Sequence, residues 1–155
     1  VNGRISMPSD ARLGFLETEW PDRPLVTAIE AKDIDQGVEA LNAAGLAEPR
    51  LYLSRWDQLS AGQKYRAQLA RLICSDTNVW VLDEFASNLD DATALSVGRN
   101  FARAARRQEV ICLIASVRRT PLVNSIAPDI VVHLNQVADP VVSKDWRSFA
   151  GVNNG

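Results

Sequence analysis

The chain has 155 residues, enough for one domain with a self-sufficient core and too few for two. Apolar residues at 46% and charged residues at 23% are ordinary globular values and exclude intrinsic disorder. The 17 Lys and Arg against 19 Asp and Glu leave a net charge of −2, which excludes a surface that binds polyanions throughout and leaves room only for a local basic patch. His133 is the one histidine, so a histidine-built metal cluster is excluded as well. Cys74 and Cys112 sit in apolar runs and read as reduced core thiols. No apolar run approaches the ~18 residues of a membrane span, and no secretory signal precedes Met7. The expected location is the cytoplasm.

Residues 1–12 are polar and irregular, and Leu13 to Leu16 is a short strand candidate. Glu17 to Arg23, with Trp20, Pro21 and the following Pro24, reads as a loop. Ile34, Val38 and Leu41 at helical spacing, with Gly45 beyond, predict a helix over 33–44. The stretch 51–59 favours no element. A stronger helix begins at Ser60, where Tyr65, Leu69, Leu72 and Ile73 form one buried stripe.

Val79 to Leu82 and Val110 to Ala115 are short continuous apolar runs, the pattern of strands buried on both faces of a parallel sheet. A helix over 91–107 separates them. Thr120-Pro121 predicts a short helix to about residue 127, and Ile130 to Leu134 a further strand. From Asn135 onward the signals are weak. Strands alternating with helices predict an α/β fold with a parallel sheet and right-handed crossovers. In such sheets ligands bind beyond the carboxyl ends of the strands. The two central strands are therefore expected as parallel neighbours, with Asp83 and Ser116 side by side at their ends.

Asp83 and Glu84 directly follow the first of these strands. Two adjacent carboxylates there suit metal-assisted phosphate chemistry. Asp83 would face Mg²⁺, directly or through water, because a hard cation takes oxygen ligands. Glu84 would orient and deprotonate an attacking water. The plainer reading is a strand end whose acids cap the next turn. Upstream, Leu59-Ser60-Ala61-Gly62-Gln63 opens the long helix, with Ser60 and Gln63 in capping-box spacing. The small Ala61 and Gly62 leave helix-terminal N–H groups open to an anion.

Taken together, in this order and spacing, these segments resemble the ABC-type ATPases. Leu59 to Gln63 is similar to the signature motif, Val79 to Glu84 to the Walker B strand with its catalytic glutamate, and Ser87-Asn88-Leu89-Asp90 to the D-loop. The resemblance covers roughly residues 13–135. It implies a partial P-loop NTPase-like parallel sheet with helices, plus a helical subdomain carrying the signature motif. The helical part would span about 20–75, the Walker B and D-loop lobe 76–135, and a tail 136–155. It further implies Mg-ATP hydrolysis in a head-to-tail dimer, either a homodimer or a pair with a partner ATPase subunit. There Ser60, Ala61, Gly62 and Gln63 of one subunit reach the γ-phosphate of ATP bound to the other, and the D-loops meet at the seam.

Several family parts are missing or altered. A Walker A loop needs Gly-x-x-x-x-Gly-Lys-Ser/Thr, but Lys32, Lys64 and Lys144 follow Ala31, Gln63 and Ser143. The N-terminal lobe that would carry that loop is absent from the sequence. Thr18, or its neighbours Glu17 and Glu19, stands at the Q-loop position, and Ser116 stands at the switch position, where a hydroxyl donates one hydrogen bond and carries no charge. His133 reads as structural. Phe85 follows the acidic pair where transport ATPases usually have proline, so the run resembles soluble, non-transport members.

Arg99, Arg103, Arg106 and Arg107 share a helical face, with Arg118-Arg119 beyond. Such a stripe suits a nucleic-acid backbone or a solvated helix end. The expectation is thus the C-terminal part of an ABC-type ATPase, inactive as an isolated chain. The alternative is a degenerate module that only binds a protein or a nucleic acid.

Overall fold

A computed structural model describes residues 5–117, 120–134 and 140–147. Arg118, Arg119 and most of the weak-signal tail lie outside the described residues. The order of elements is β1 (Leu13–Gly14), α1 (Leu25–Ala28), α2 (Ile34–Ala43), α3 (Pro49–Tyr52), a 3-10 turn (Trp56–Gln58), α4 (Ala61–Cys74), β2 (Val79–Leu82), α5 (Asp91–Arg107), β3 (Ile111–Ile114), α6 (Thr120–Ile126), β4 (Val131–His133) and β5 (Val141–Ser143).

Three helices start where the sequence supplies a cap. Asp33 accepts the Gln36 N–H at 2.8 Å before α2, and Asp90 accepts the Thr93 N–H at 2.9 Å before α5. Ser60 and Gln63 exchange bonds before α4, with Ser60 Oγ accepting the Gln63 N–H at 3.3 Å and Gln63 Oε1 the Ser60 N–H at 2.9 Å. The stretch 51–59, which favoured no element, holds the end of α3 and the 3-10 turn. Its Leu51 and Leu59 are buried while Leu53 is exposed, too sparse an apolar pattern for either period.

The main sheet is parallel throughout, in the order β1-β2-β3. Val79, Trp80, Val81 and Leu82 pair with Ile111, Cys112, Leu113 and Ile114, as the strand-helix-strand pattern predicted. β1 is shorter than the expected 13–16 and pairs only Leu13 and Gly14 with Val79 and Trp80. A side chain on Gly14 would meet Thr77 Oγ1 at 2.5 Å and Leu72 Cδ1 at 2.6 Å, so only glycine lets α4 end this close to the strand.

Two expectations need correction. The last strand does not extend the parallel sheet. β4 instead pairs antiparallel with β5, His133 opposite Val141, because its backbone groups need partners and find them there. Nor are β2 and β3 fully covered on both faces. Side chains alternate along a strand, and Trp80 and Leu82 join one hydrophobic cluster with Leu69, Phe85, Phe101 and Leu122, with Cys112 and Ile114 packed against it. On the opposite face Leu13, Val79, Val81, Ile111 and Leu113 lie outside that cluster; Val79 is buried, Val81 and Leu113 are half-buried, and Leu13 and Ile111 are exposed. That second face is thus only partly covered among the described residues, and its exposed part is apolar at Leu13 and Ile111. Among the described residues, no helix is long and apolar enough to cross a membrane.

Candidate functional site

The carboxyl end of β2 passes into a tight turn. Glu84 at φ 50° and Ala86 at φ 62° both take the left-handed conformation without being glycine. Each costs about 1–2 kcal/mol, so the surroundings must hold them there. The fastening comes from two sides. From β3, the Ala115 carbonyl accepts the Phe85 N–H at 2.9 Å, and the Ser116 hydroxyl donates to the Phe85 carbonyl at 3.1 Å. From α4, the Tyr65 hydroxyl accepts the Ala86 N–H at 2.9 Å. Phe85 is fully buried, edge-on to Tyr65 and tilted against Phe101 at 5.6 Å.

With Phe85 turned inward, Asp83 and Glu84 turn outward, and both are exposed. Asp83 Oδ1 accepts the Glu84 N–H at 2.9 Å, which is the capping role the plainer reading assigned it. Its remaining lone pairs are available to a cation. Among the described residues no group of three or more His, Cys, Asp or Glu side chains is placed to hold a metal ion. The donors thus fit Mg²⁺ that arrives on phosphate oxygens and keeps its waters, which needs only one or two carboxylates, and do not make a free-standing metal site.

The start of α4 lies against this turn. A methyl on Gly62 would sit 3.4 Å from Leu89 Cδ2 and 3.6 Å from the Asn88 carbonyl. The capping box uses a lone pair of the Ser60 hydroxyl and leaves its proton free to donate. Ser60 and Ala61 are exposed, and Gly62 and Gln63 half-buried, so the helix terminus opens to solvent beside the 87–90 turn. Arg66 fixes the approach, donating to the Gly62 carbonyl at 3.2 Å and to the Gly45 carbonyl at 2.6 Å. Burial lowers its pKa, against the raising pull of Glu48 and Asp90. Within the 87–90 turn the residues divide. Leu89 is buried, Asn88 is exposed and Ser87 is half-buried. Asp90 caps α5, and its bonds from Thr93 hold the carboxyl below its usual pKa.

Thr18 is exposed in the loop after β1, and that loop is tied to the polar side of α4. The Glu17 carbonyl accepts from Gln68 Nε2 at 2.8 Å, and the Glu19 carbonyl from Arg71 at 3.0 Å. Arg71 also pairs with the Glu17 and Glu30 carboxylates, both at 2.9 Å. Trp20 stacks on Trp56 at 4.5 Å, with Arg71 over the Trp20 ring and Lys64 over the Trp56 ring. Lys64, Gln68 and Arg71 follow i, i+4, i+7 spacing on α4, so the amphipathic pattern contained this anchoring face although its partners were invisible.

Sequence reasoning missed Tyr65 as anything beyond a core residue, because its hydroxyl partner lies on a distant loop. The arginine stripe also needs revision. Arg106 donates to the Ile126 carbonyl at 2.9 Å and to the Ala127 carbonyl, closing the end of α6. That leaves Arg99, Arg103 and Arg107 on the exposed face of α5.

A family model described as ABC transporter matches residues 5–87, just over half of the chain. The phosphonates import ATP-binding protein PhnC of Nitratidesulfovibrio vulgaris is 28% identical over 111 residues, covering 72% of this chain and 41% of that protein. The protein of the same name from Wolinella succinogenes is 29% identical over 131 residues, covering 84% of this chain and 42% of its own length. The chain therefore spans under half the length of these relatives. Both are import proteins by name, so the resemblance of the Phe85 region to non-transport members gains nothing from them. Among solved structures, the dimeric structure of MJ0796, a bacterial ABC transporter cassette, superposes with a TM-score of 0.62 at 18% identity, covering 80% of this chain and 59% of that one. That likeness is one of fold.

Proposed function

The chain belongs to the ABC transporter family, and from that premise we propose that it is the signature and Walker B portion of an ABC-type ATPase unit. In this reading Glu84 orients and deprotonates the water that attacks the γ-phosphate in line, and Asp83 serves Mg²⁺ directly or through water. When bound, Mg²⁺ supplies neutralisation of phosphate charge. Ser60, Ala61, Gly62 and Gln63 offer a hydroxyl and open helix-terminal N–H groups to the γ-phosphate held by a partner subunit. Ser87, Asn88, Leu89 and Asp90 lie at the seam of that head-to-tail dimer, a homodimer or a pair with a second ATPase subunit, in the cytoplasm. Ser116 occupies the switch position and Thr18 the Q-loop position.

The single observation that carries this reading is the meeting of three motifs in one place. Asp83 and Glu84 are exposed at the end of β2, Ser116 bonds their turn from the next parallel strand, and the start of α4 lies against Asn88 and Leu89. The 155 residues contain no Walker A loop. In this reading a segment carrying that loop would pack at the edge of β3 and over the exposed Leu13 and Ile111, which is supported by that edge being unpaired among the described residues.

The test is calorimetry of this chain with Mg-ATP. Without the phosphate cradle the expected result is no saturable binding below about millimolar concentration, a threshold of roughly 4 kcal/mol. Micromolar binding would contradict the reading. A second reading, a degenerate module that binds only a protein or nucleic acid, is favoured by Ser116, whose hydroxyl is spent on the Phe85 carbonyl.

A further inference from the structure

Tyr65 has no part in the roles given above. It lies one turn and a half into α4 from Ser60 and is only 6% exposed. Its ring is edge-on to Phe85 with centroids 6.3 Å apart, and its hydroxyl accepts the Ala86 N–H at 2.9 Å. Ala86 is fully buried, so no water replaces that bond. Ala86 is also the second of the two left-handed residues in the turn, and Glu84 is the first. The other fastenings of the turn reach it from Ala115 and Ser116 at the end of β3. The backbone that carries Glu84 is thus slung between β3 and the signature helix, and Tyr65 is the anchor on the helix side.

We propose that Tyr65 is a positioning residue that couples the N-terminus of α4 to the Glu84 turn. The proposal rests on the reading of Glu84 as the group that activates water and of the α4 terminus as an anion site. A helix moves as a rod. A shift of Ser60 to Gln63 toward a bound phosphate carries Tyr65 with it, some 7 Å down the axis. The phenol oxygen transmits that shift to the Ala86 N–H and so to the carboxylate two residues earlier. The ring alone does not suffice. Phenylalanine fills the same space and lacks the acceptor, and an aliphatic amide is too short to replace a para-hydroxyl at this depth.

The experiment measures amide hydrogen exchange on the full chain. Tyr65→Phe is expected to speed exchange at Ala86 at least tenfold more than at Phe101 and Ala102, buried α5 positions that report global opening. Leu46→Ala, a core truncation elsewhere, is expected to speed both alike. Equal acceleration in Tyr65→Phe would overturn the proposal, because it would mean a merely structural role.

Transmission is read separately by amide chemical shifts. Gln63→Ala breaks the capping box and is expected to shift the Glu84 and Ala86 amides in the parent chain but not in Tyr65→Phe. Shifts that persist without the hydroxyl would overturn it. These readouts do not depend on hydrolysis. Loss of the Glu84 assignment would show instead as unchanged turnover in Glu84→Gln. In an assembly that hydrolyses ATP, Tyr65→Phe is expected to lower kcat about tenfold at constant KM, and a change in KM alone would contradict it.

Discussion

Replacing Phe85 by alanine tests whether the turn after β2 is built as described. Phe85 is 0% exposed, set between the rings of Tyr65 and Phe101, and lies in the turn whose two left-handed residues need external support. Truncating a fully buried phenylalanine costs about 3–5 kcal/mol, the lost transfer energy plus the cavity left behind. For a chain of this length, one kcal/mol moves Tm by roughly 2–4 °C, so the fall expected is about 6–20 °C. Phe15→Ala is the control. Phe15 is 54% exposed and its loss is expected to stay within about 0.5 kcal/mol. Phe85→Pro goes further than alanine, because it also removes the N–H that the Ala115 carbonyl accepts, about 1 kcal/mol more. The assay is urea and thermal denaturation followed by circular dichroism. A Phe85→Ala loss below about 1 kcal/mol, or one no larger than that of Phe15→Ala, would refute the placement of this ring and with it the account of how Asp83 and Glu84 are turned outward.

The remaining predictions concern pH and association. Burial pushes Tyr65 up to about 12 from 10.0, and Cys74 and Cys112 up to about 11 from 9.0. The unfolded chain then releases these protons at lower pH than the fold does, so stability is intact below about pH 9 and falls as pH rises toward 12. A Tm that stays flat across that window would contradict the burial of these groups. The exposed Leu13 and Ile111 and the edge of β3, unpaired among the described residues, are expected to make the isolated chain self-associate, measured by light scattering. Ile111→Lys should abolish the association and Ser60→Arg should leave it intact. A monomer at high concentration, or loss of the oligomer in Ser60→Arg, would sink this argument.

What was legible in the sequence follows the range of the interactions. The caps of α2, α4 and α5 and the apolar runs of β2 and β3 are encoded within a few residues, and each appears where its pattern lies. The acidic pair after β2 and the capped, small-residue start of α4 were readable in the same local way, whereas their reading as family motifs came from a resemblance. The rest depends on distant partners. Nothing in the neighbourhood of Trp20 announces Trp56, and nothing near Tyr65 announces Ala86. Arg106 reads as one more cation on a basic face until α6 brings the carbonyls of Ile126 and Ala127 beside it. β4 followed its propensity but not the crossover rule, because β5, the strand that pairs with it, comes from the weak-signal tail. The exposed part of the sheet was not legible in the strands themselves and was expected only from the family resemblance, through the lobe it lacks. A strand records that its face should be buried, and not whether the covering layer is at hand.

The account rests most heavily on Glu84. The direct measurement is ATP turnover by a longer protein that carries this chain together with a Walker A loop, comparing the parent with Glu84→Gln at saturating Mg-ATP. The account predicts retained nucleotide binding and a fall in turnover on the order of a hundredfold or more. Turnover that is unchanged in Glu84→Gln would contradict it.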